Sequence, residues 1–544
     1  MLKIARDEWR WLLGWSFFTL FLTSVPLILG LFVTPAGHEF TGLLFNAHDG
    51  NSYLSKMQEG RRGDWLYHSA FTSEPPGPGA VLFIYYLLLG KIAGLLSLPN
   101  ILVFHAVRLL TGLLLLVVSY GFIGLLFNEK RARRLAFLLV CFSAGLGWLL
   151  APLGILPVDF WVAEGYTFLS IFANAHFPLT SACLVLALAG GLAGMQGKGF
   201  RYYLWAALAA GVIGFVLPYV LVTLAGVLAL FWLRQVLARS AGWRVLPGLA
   251  VIGLGALPGP LLTLWTISRD TTLQAFMRQG RIPTPDVFSM LAGYGLLVPF
   301  TLAGLWWAEK LLPGHASKTI TGQPSLDPVP WRLVSAWLLA TVILLVLPFN
   351  FSRRLVEGVH LPLACLAAAG WYEIVAPRLA SRWRRPLRQL LVGGSALTSL
   401  VLVLLSVSFL FPAGPDLNEP VKAPYLTPAE QGAISWLNAH ARPGEVVLSG
   451  PLLGNVLPGR TPVNTFYGHL DETIDPDRKY ALLEQFFNKN TAPIDRYGII
   501  NSWSLKYLVY GWREKQLGLF DPAQGNWQKV FQQDDLQIFR LTTS

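Results

Sequence analysis

Residues 11–33 read WLLGWSFFTLFLTSVPLILGLFV, an apolar run that is long enough to cross a bilayer as one helix. The run exceeds the apolar core of a signal peptide and no small-x-small cleavage motif follows it, so we expect an uncleaved first span. Lys3, Arg6 and Arg10 precede it and place the N-terminus in the cytoplasm by the positive-inside rule. Of the 544 residues, 54% are hydrophobic and 13% are charged, and the mean hydropathy is +0.51, which predicts a polytopic α-helical membrane protein.

Ten further apolar stretches bring the predicted total to about eleven transmembrane helices: residues 101–127, 135–150, 177–193, 204–217, 219–233, 245–267, 287–307, 333–347, 359–371 and 390–411. From a cytoplasmic N-terminus, this count places nearly all clusters of Lys and Arg in cytoplasmic loops. Residues 80–98 are left out, because counting them as a span would move the basic loop 128–134 outside. We expect an interfacial or re-entrant helix there, with Lys91 reaching the headgroups; a true span is the alternative, since 19 apolar residues can cross a bilayer.

The composition changes after residue 411, where Pro412, Pro415, Pro420, Pro424 and Pro428 punctuate a linker. The remaining residues are enough for one compact domain. They predict a helix capped by Thr427 and Glu430, a strand from Glu445, a helix over 478–488, a strand from Leu505 and a hairpin over 527–543. The sequence therefore predicts a transmembrane domain, residues 1–411, with a large first outer loop, residues 34–100, and a soluble extracytoplasmic α/β domain, residues 412–544.

Charge and cysteine usage exclude several functions. The net charge is +12, while the region after residue 411 has 12 Lys and Arg against 14 Asp and Glu, so the excess belongs to the membrane part. Such a distribution indicates contact with membrane lipids and no nucleic acid partner. Cys141, Cys183 and Cys365 all fall in predicted spans, which indicates no disulfide framework, zinc ribbon or thiol catalyst. No nucleotide-binding or dinucleotide-binding motif is present.

Ionisable residues of several loops gather on the predicted outer face. The first loop contains residues 46–53, NAHDGNSY, in which Asp49 could accept a proton from an attacking hydroxyl or hold a metal ion. The other candidates for binding the donor or acceptor are His48, Lys56, Arg108, Glu164, His176, Arg269, Arg353, Arg354, Glu357, His469 and Glu472. For the cluster at residues 468–473, a turn with a helix cap is the competing interpretation. Asp49, His48, Glu164 and His176 are the candidate metal ligands. For a single histidine at the end of a span, an interfacial hydrogen bond is the competing interpretation.

Arg353 and Arg354 depart from the positive-inside tendency, since they follow a span on its predicted outer side. Two guanidinium groups at that depth indicate a bound anion, because Arg recognises phosphate through paired N–H groups. The alternative is a pair of interfacial side chains that extend to the headgroups.

The chain resembles the GT-C superfamily of polyprenyl-phosphate-sugar-dependent glycosyltransferases, which includes the protein O-mannosyltransferases and the aminoarabinose transferases of lipid A. The resemblance runs from Lys3 to about Trp371 and lies in the order of its features: Asp49 in the first outer loop, Pro75-Pro76 before an interfacial helix, HAVRLLTG with Arg108 at 105–112, FANAHFP at 172–178 and PFNFSRRLVEG at 348–358.

This resemblance implies that Asp49 is the catalytic base or orients the acceptor, and that Arg353 and Arg354 hold the donor phosphate. It implies direct displacement, with inversion, of a sugar from a polyprenyl-phosphate donor to a lipid, glycan or protein acceptor. Many family members pair two acidic residues where this chain has His48 and Asp49, so a divalent cation, Mg²⁺ or Mn²⁺, stays open as a cofactor.

Other functions remain open at this point. A transporter or flippase of lipid-linked glycans would normally show repeated halves and polar residues near span centres, and neither is evident. A scaffold without catalysis would leave the acids and arginines of the outer face unexplained. A glycan ligase or polymerase would share the chemistry of a glycosyltransferase.

Overall fold

The computed structural model describes residues 6–238, 242–310, 327–411, 423–522, 525 and 527–541. Contacts between residues divide the chain into two compact units. The helical unit comprises Met1–Ser24, His105–Leu261 and Ile282–Leu404, and the mixed unit comprises Val25–Phe104, Leu262–Arg281 and Leu405–Ser544. This grouping joins the predicted first loop to the predicted tail domain; the domain boundary at 411 and 412 stays a prediction. Lys3, Pro412, Pro415, Pro420 and the last residues of the predicted hairpin lie outside the described residues.

The helical unit is built mainly from apolar helices. Its helices, some of which run on into the mixed unit, are Arg6–Leu22, Asn100–Leu126, Lys130–Phe142, Gly147–Leu150, Thr167–Ala173, His176–Met195, Arg201–Val216, Val220–Leu237, Leu246–Ala256, Pro258–Ile267, Val287–Tyr294, Leu297–Lys310, Pro328–Val346, His360–Ala369, Ala376–Arg378 and Ser381–Ser408. Five 3-10 segments, Ala151–Leu153, Val158–Phe160, Ala163–Gly165, Trp243–Val245 and Ser352–Val356, and the π-helical turn Gly370–Val375 connect them.

The predicted membrane spans coincide with these helices. Among the described residues, six helices are long and apolar enough to cross a membrane, or up to nine if each of three bent helix pairs is one span. Arg201–Val216 and His360–Ala369 occupy two more predicted spans but are shorter than that test requires. The chain is thus a multi-pass helical membrane protein, and the total of about eleven spans stays a prediction.

Ion pairs within the helical unit bear on the ambiguous run 80–98. Lys130 Nζ lies 2.8 Å from Asp7 Oδ2, and Arg133 Nη1 lies 3.2 Å from Glu8 Oε1. The start of the first span and the loop after residue 126 therefore lie at the same end of the unit. An even number of crossings must separate them, and the predicted spans at 11–33 and 101–127 supply two when the bent pair Arg6–Leu22 and Val25–Val33 is counted as one span. This pairing supports the interpretation that residues 80–98 do not cross the membrane.

The mixed unit combines helices with two small sheets. Its helices are Val25–Val33, Ala47–Arg62, Ile84–Leu95, Thr271–Gln279, Pro428–His440, Pro451–Val456, Pro476–Phe487, Pro493–Ser502 and Trp512–Lys515, with the 3-10 segment Leu457–Gly459. Its strands are β1 (Glu39–Phe40), β2 (Tyr425–Leu426), β3 (Val446–Leu448), β4 (Asn464–Thr465), β5 (Leu505–Tyr510), β6 (Gln528–Gln533) and β7 (Leu536–Arg540). The two helices and the strands predicted after residue 427 are present among the described residues, and the side chain of Thr427 forms the predicted capping box with Glu430.

The larger sheet has the order β4-β3-β5-β7-β6, with β3 parallel to β4 and β5, and β7 antiparallel to β5 and β6. Side chains of β5 alternate between two buried cores. Tyr507 and Val509 pack with Leu437 of helix Pro428–His440, and Leu508 packs with Phe486 of helix Pro476–Phe487. Helices thus cover both faces of the sheet. In the second sheet, β1 of the first loop pairs with β2 of the tail.

The first loop contains a helix, Ala47–Arg62, which we call the loop helix. The loop helix packs backbone to backbone on Ile84–Leu95, because Gly60 and Gly90 lie at the contact. A Cβ atom at Gly60 would lie 2.0 Å from Leu87 O, and one at Gly90 would lie 1.9 Å from Met57 O. Ile84–Leu95 has 12 residues and is about 18 Å long, which is too short to cross a bilayer by itself.

Candidate functional site

Asp49 stands in the first turn of the loop helix, where the helix dipole favours a negative charge. The helix starts abruptly because Asn46 adopts the left-handed conformation, with φ 52° and ψ 42°, which Asn tolerates better than most residues. The side chain of Asn46 turns back and donates from Nδ2 to Asp49 Oδ2 at 2.8 Å. The carboxylate is therefore fixed by the residue that opens the helix.

A histidine of the tail holds the other oxygen of this carboxylate. His469 Nε2 lies 3.2 Å from Asp49 Oδ1, and the His469 side chain is only 2% exposed whereas that of Asp49 is 34% exposed. The ring of His48 lies against the ring of His469, with the centroids 4.0 Å apart. Burial, together with the nearby His469, lowers the pKa of His48 to about 4, so His48 is neutral at pH 7. Asp49 is thus an accessible carboxylate, and the buried imidazole of His469 contacts one of its oxygens.

A buried ion pair ties the loop helix to the tail segment that contains His469. Lys56 Nζ lies 2.7 Å from Glu472 Oε1, Tyr67 donates its hydroxyl to Glu472 Oε2 at 2.9 Å, and Ser52 also donates to Oε1. Burial alone would raise the pKa of Glu472, but Lys56, His469 and the hydrogen bond from Ser52 lower it to about 2. Breaking a pair of this kind typically costs about 3–5 kcal/mol, because an uncompensated buried charge remains. Lys56 and Glu472 therefore hold the site in place.

His48, Asp49 and His469 are a possible metal site. Each offers one ligand atom, and these three atoms lie within 4.8 Å of one another. Two imidazoles and one carboxylate suit Zn²⁺ better than the Mg²⁺ or Mn²⁺ predicted above, since Mg²⁺ prefers oxygen ligands. The identity of the cation stays a prediction. The other two candidate ligands, Glu164 and His176, belong to no such group among the described residues.

In the helical unit, Arg353 and Arg354 both lie close to the carboxylate of Glu164. Arg353 Nε lies 3.4 Å and Arg354 Nη1 lies 3.5 Å from Glu164 Oε1. Glu164 is buried, while the arginine side chains are 23% and 24% exposed. Arg353 faces the ring of Trp161 at 5.3 Å, and Arg354 faces that of Phe177 at 5.5 Å. Two guanidinium groups beside one carboxylate leave an excess of positive charge, and this charge is partly exposed to solvent.

Glu357 does not neutralise the excess positive charge of Arg353 and Arg354. Its carboxyl group is buried, and its Oε1 accepts hydrogen bonds from Thr180 and, at 3.3 Å, from Ser181. Burial raises the pKa of Glu357 to about 8, which keeps the group protonated and neutral at pH 7. The arginine pair, Glu164 and neutral Glu357 together therefore carry a net charge of about +1, which can attract an anion such as a phosphate.

The remaining predicted residues lie in other surroundings. Arg108 is 1% exposed and donates to Ile171 O at 2.8 Å, Ser24 Oγ at 3.1 Å and Thr23 Oγ1 at 3.3 Å, so it joins helices of the helical unit. His176 is the first residue of helix His176–Met195 and is 6% exposed. Arg269 is exposed and lies 4.0 Å from the ring centroid of Trp265, as an interfacial side chain would.

No protein-family model matches the chain, and no curated protein matches it significantly. Several solved structures do match the chain. The oligosaccharyltransferase of Archaeoglobus fulgidus tethered with an acceptor peptide is 14% identical, covering 94% of this chain and 71% of its own, with a TM-score of 0.53. ArnT from Cupriavidus metallidurans bound to undecaprenyl phosphate is 15% identical, covering 97% and 98%, with a TM-score of 0.52. The arabinofuranosyltransferase AftD from Mycobacteria is 14% identical, covering 98% and 40%, with a TM-score of 0.55. The chain has the GT-C fold.

The GT-C fold confirms the fold class that the resemblance implied. The structure adds residues to the site that the sequence did not single out, above all Asn46, Ser52 and Tyr67. Asn46 directly before a polar helix could have been recognised as a helix start. Ser52 and Lys56 are four residues apart, the spacing of neighbours on one helix face. Nothing local marks Tyr67 as a partner of Glu472, since 405 residues separate them.

Proposed function

We propose that this GT-C chain is a glycosyltransferase that moves a sugar from a polyprenyl-phosphate donor to a lipid, glycan or protein acceptor on the extracytoplasmic side of the membrane. One observation carries the proposal: in a chain with the GT-C fold, Asp49 of the first loop is held on each oxygen by a separate polar side chain and stays accessible. A carboxylate fixed in this way is preorganised to orient an acceptor group and to take its proton.

The reaction is a displacement at the anomeric carbon of the donor sugar. The acceptor hydroxyl or amine forms a bond to that carbon while its proton passes to Asp49, and the bond between the carbon and the phosphate oxygen breaks. The leaving polyprenyl phosphate gains negative charge. We propose separately that Arg353 and Arg354 of the helical unit bind the donor phosphate, because two guanidinium groups share the single carboxylate of Glu164. No step of this proposal requires a metal ion.

Among the neighbours, ArnT is bound to undecaprenyl phosphate, and an archaeal oligosaccharyltransferase is in complex with dolichol-phosphate and an inhibitory peptide. Another structure of the archaeal enzyme holds Zn and sulfate. These ligands support the proposal that this chain takes a lipid phosphate and that a cation can bind near Asp49.

The test is the lipid pool of a deletion strain. Without the enzyme, a polyprenyl-phosphate-linked sugar should accumulate, and mass spectrometry of lipid extracts identifies the sugar from its mass and its fragments. Wild-type protein should clear the accumulated donor, and Asp49→Asn should not, with a loss of about 10²-fold or more in rate. Matched membrane levels of the two proteins show that the variant folds and inserts. Clearance by the variant at the wild-type rate would contradict the role of Asp49. A donor that changes leaflet without losing its sugar would instead identify a flippase.

A further inference from the structure

The turn that contains His469 fixes which ring nitrogen of this histidine carries the proton. The backbone N–H groups of Asp471 and Glu472 both point at His469 Nδ1, at 3.2 and 3.3 Å. A nitrogen that accepts two N–H groups carries no proton, so the neutral ring must carry its proton on Nε2. Nε2 is the atom that lies 3.2 Å from Asp49 Oδ1.

We propose that His469 is a positioning residue, which donates its Nε2–H to Asp49 and fixes the orientation of the carboxylate, and that His469 is not a metal ligand. A ligand to a metal ion needs a lone pair on the coordinating nitrogen and usually donates through its other nitrogen. The turn around His469 provides the opposite arrangement, because both backbone donors face Nδ1. The inference deepens the proposed function, since it presupposes that Asp49 acts on the acceptor.

The turn that orients His469 is itself anchored. Thr473 Oγ1 accepts from the backbone N–H of His469 at 3.3 Å, and Gln279 Nε2 donates to the carbonyl oxygens of Asp471 and Thr473 at 3.1 and 2.8 Å. The carboxylate of Glu472, in the same turn, is paired with Lys56 of the loop helix. The imidazole is therefore attached to a rigid segment, as the orienting partner of a catalytic carboxylate has to be.

Two substitutions separate the functions of the two ring nitrogens. In His469→Asn the amide oxygen replaces Nδ1 and can accept both backbone N–H groups, so the turn is retained, but the side chain no longer reaches Asp49. In His469→Gln the amide nitrogen replaces Nε2 and can still donate to Asp49. Turnover is measured with purified full-length protein added to detergent-solubilised membranes of the deletion strain, which contain donor and acceptor. We expect His469→Asn to lower turnover about 10²-fold and His469→Gln to restore most of it.

Binding of Zn²⁺ alone to the purified protein, measured by calorimetry, is the second readout. Wild type and His469→Gln should have equal affinity or equally show no binding. The proposal is overturned if His469→Asn turns over like wild type, if His469→Gln is no better than His469→Asn, or if His469→Gln weakens Zn²⁺ binding tenfold or more. The proposed function is tested separately. An active Asp49→Asn variant would contradict it, whatever the His469 variants do.

Discussion

At the scale of single residues, the chain uses burial and pairing to set the charge of its acids. Glu472 is ionised because Lys56 compensates it, whereas Glu357 is neutral because burial dominates. Glu164 is the carboxylate that meets both Arg353 and Arg354. We expect these charges to determine where an anionic donor binds, and each assignment can be tested by a substitution.

The arginine pair should bind the phosphate of the donor. Replacing either Arg353 or Arg354 by Lys retains the charge but removes the paired N–H groups, so we expect weaker binding by about tenfold, and a larger loss when both are replaced by Ala. The measurement is the affinity of purified protein in nanodiscs for polyprenyl phosphate. Arg244→Ala, an exposed arginine of the same unit, is the matched control. Unchanged affinity in the double Ala variant would show that the pair only anchors the protein at the interface.

Glu59 should make the stability of the protein depend on pH. Burial raises the pKa of Glu59 from 4.5 to about 8. A pKa that is raised in the folded state stabilises the fold fully below pH 4.5, and this contribution is lost as pH rises through about 8. Between pH 5 and 9, the melting temperature of wild type should therefore fall relative to that of Glu59→Gln. The exposed Glu484→Gln is the control, and parallel curves for wild type and Glu59→Gln would contradict the assignment.

At the scale of elements, the site depends on how the loop helix is placed. It is fixed on one side by Ile84–Leu95, through the glycine contacts, and on another by tail residues such as Asn455, whose side chain accepts from Asn51 at 2.8 Å. The catalytic candidate Asp49 lies at the start of this helix. A change that moves the helix should therefore move the site.

Gly90→Ala should test this contact. The added Cβ atom would lie 1.9 Å from the carbonyl oxygen of Met57, so the two helices must separate. We expect a destabilisation of about 1–3 kcal/mol, seen as a lower melting temperature, and reduced clearance of the donor. Gly498→Ala is the control, since Gly498 lies in helix Pro493–Ser502 of the same unit with nothing within 4 Å of the added atom. Equal melting temperatures for the two variants would argue against the close packing.

At the scale of the whole molecule, contacts in the helical unit agree with the predicted alternation of loops. Arg332 bonds to Gln235 at 2.9 Å, and both lie in or beside predicted cytoplasmic loops. Arg353 and Glu164 pair in two predicted extracytoplasmic segments. Such pairs fix which loops share an end of the unit, while the side of the membrane on which each end lies is still a prediction.

Cysteine labelling can show on which side of the membrane each loop lies. Cys141, Cys183 and Cys365 are buried and give little background. A reagent that cannot cross the membrane should label Arg62→Cys and Lys489→Cys in intact cells, and should label Arg131→Cys only after permeabilisation. All three positions are exposed. The reverse pattern would overturn the orientation and, with it, the extracytoplasmic site.

The sequence alone determined many elements of this protein, because their signals are local, but it did not predict the loop helix Ala47–Arg62 within the first loop. The apolar runs predicted the membrane helices, and the capping box at Thr427 and Glu430 predicted a helix that is present. Asp49 was selected for its residue type and its place after the first span. Tertiary structure alone decided the partners of that carboxylate, since His469 lies 420 residues away and reaches Asp49 only when the tail has folded. It also decided that Glu164 meets both arginines and that Lys56 and Glu472 form one buried pair. These contacts depend on burial and on long-range packing, which no local pattern of residues encodes.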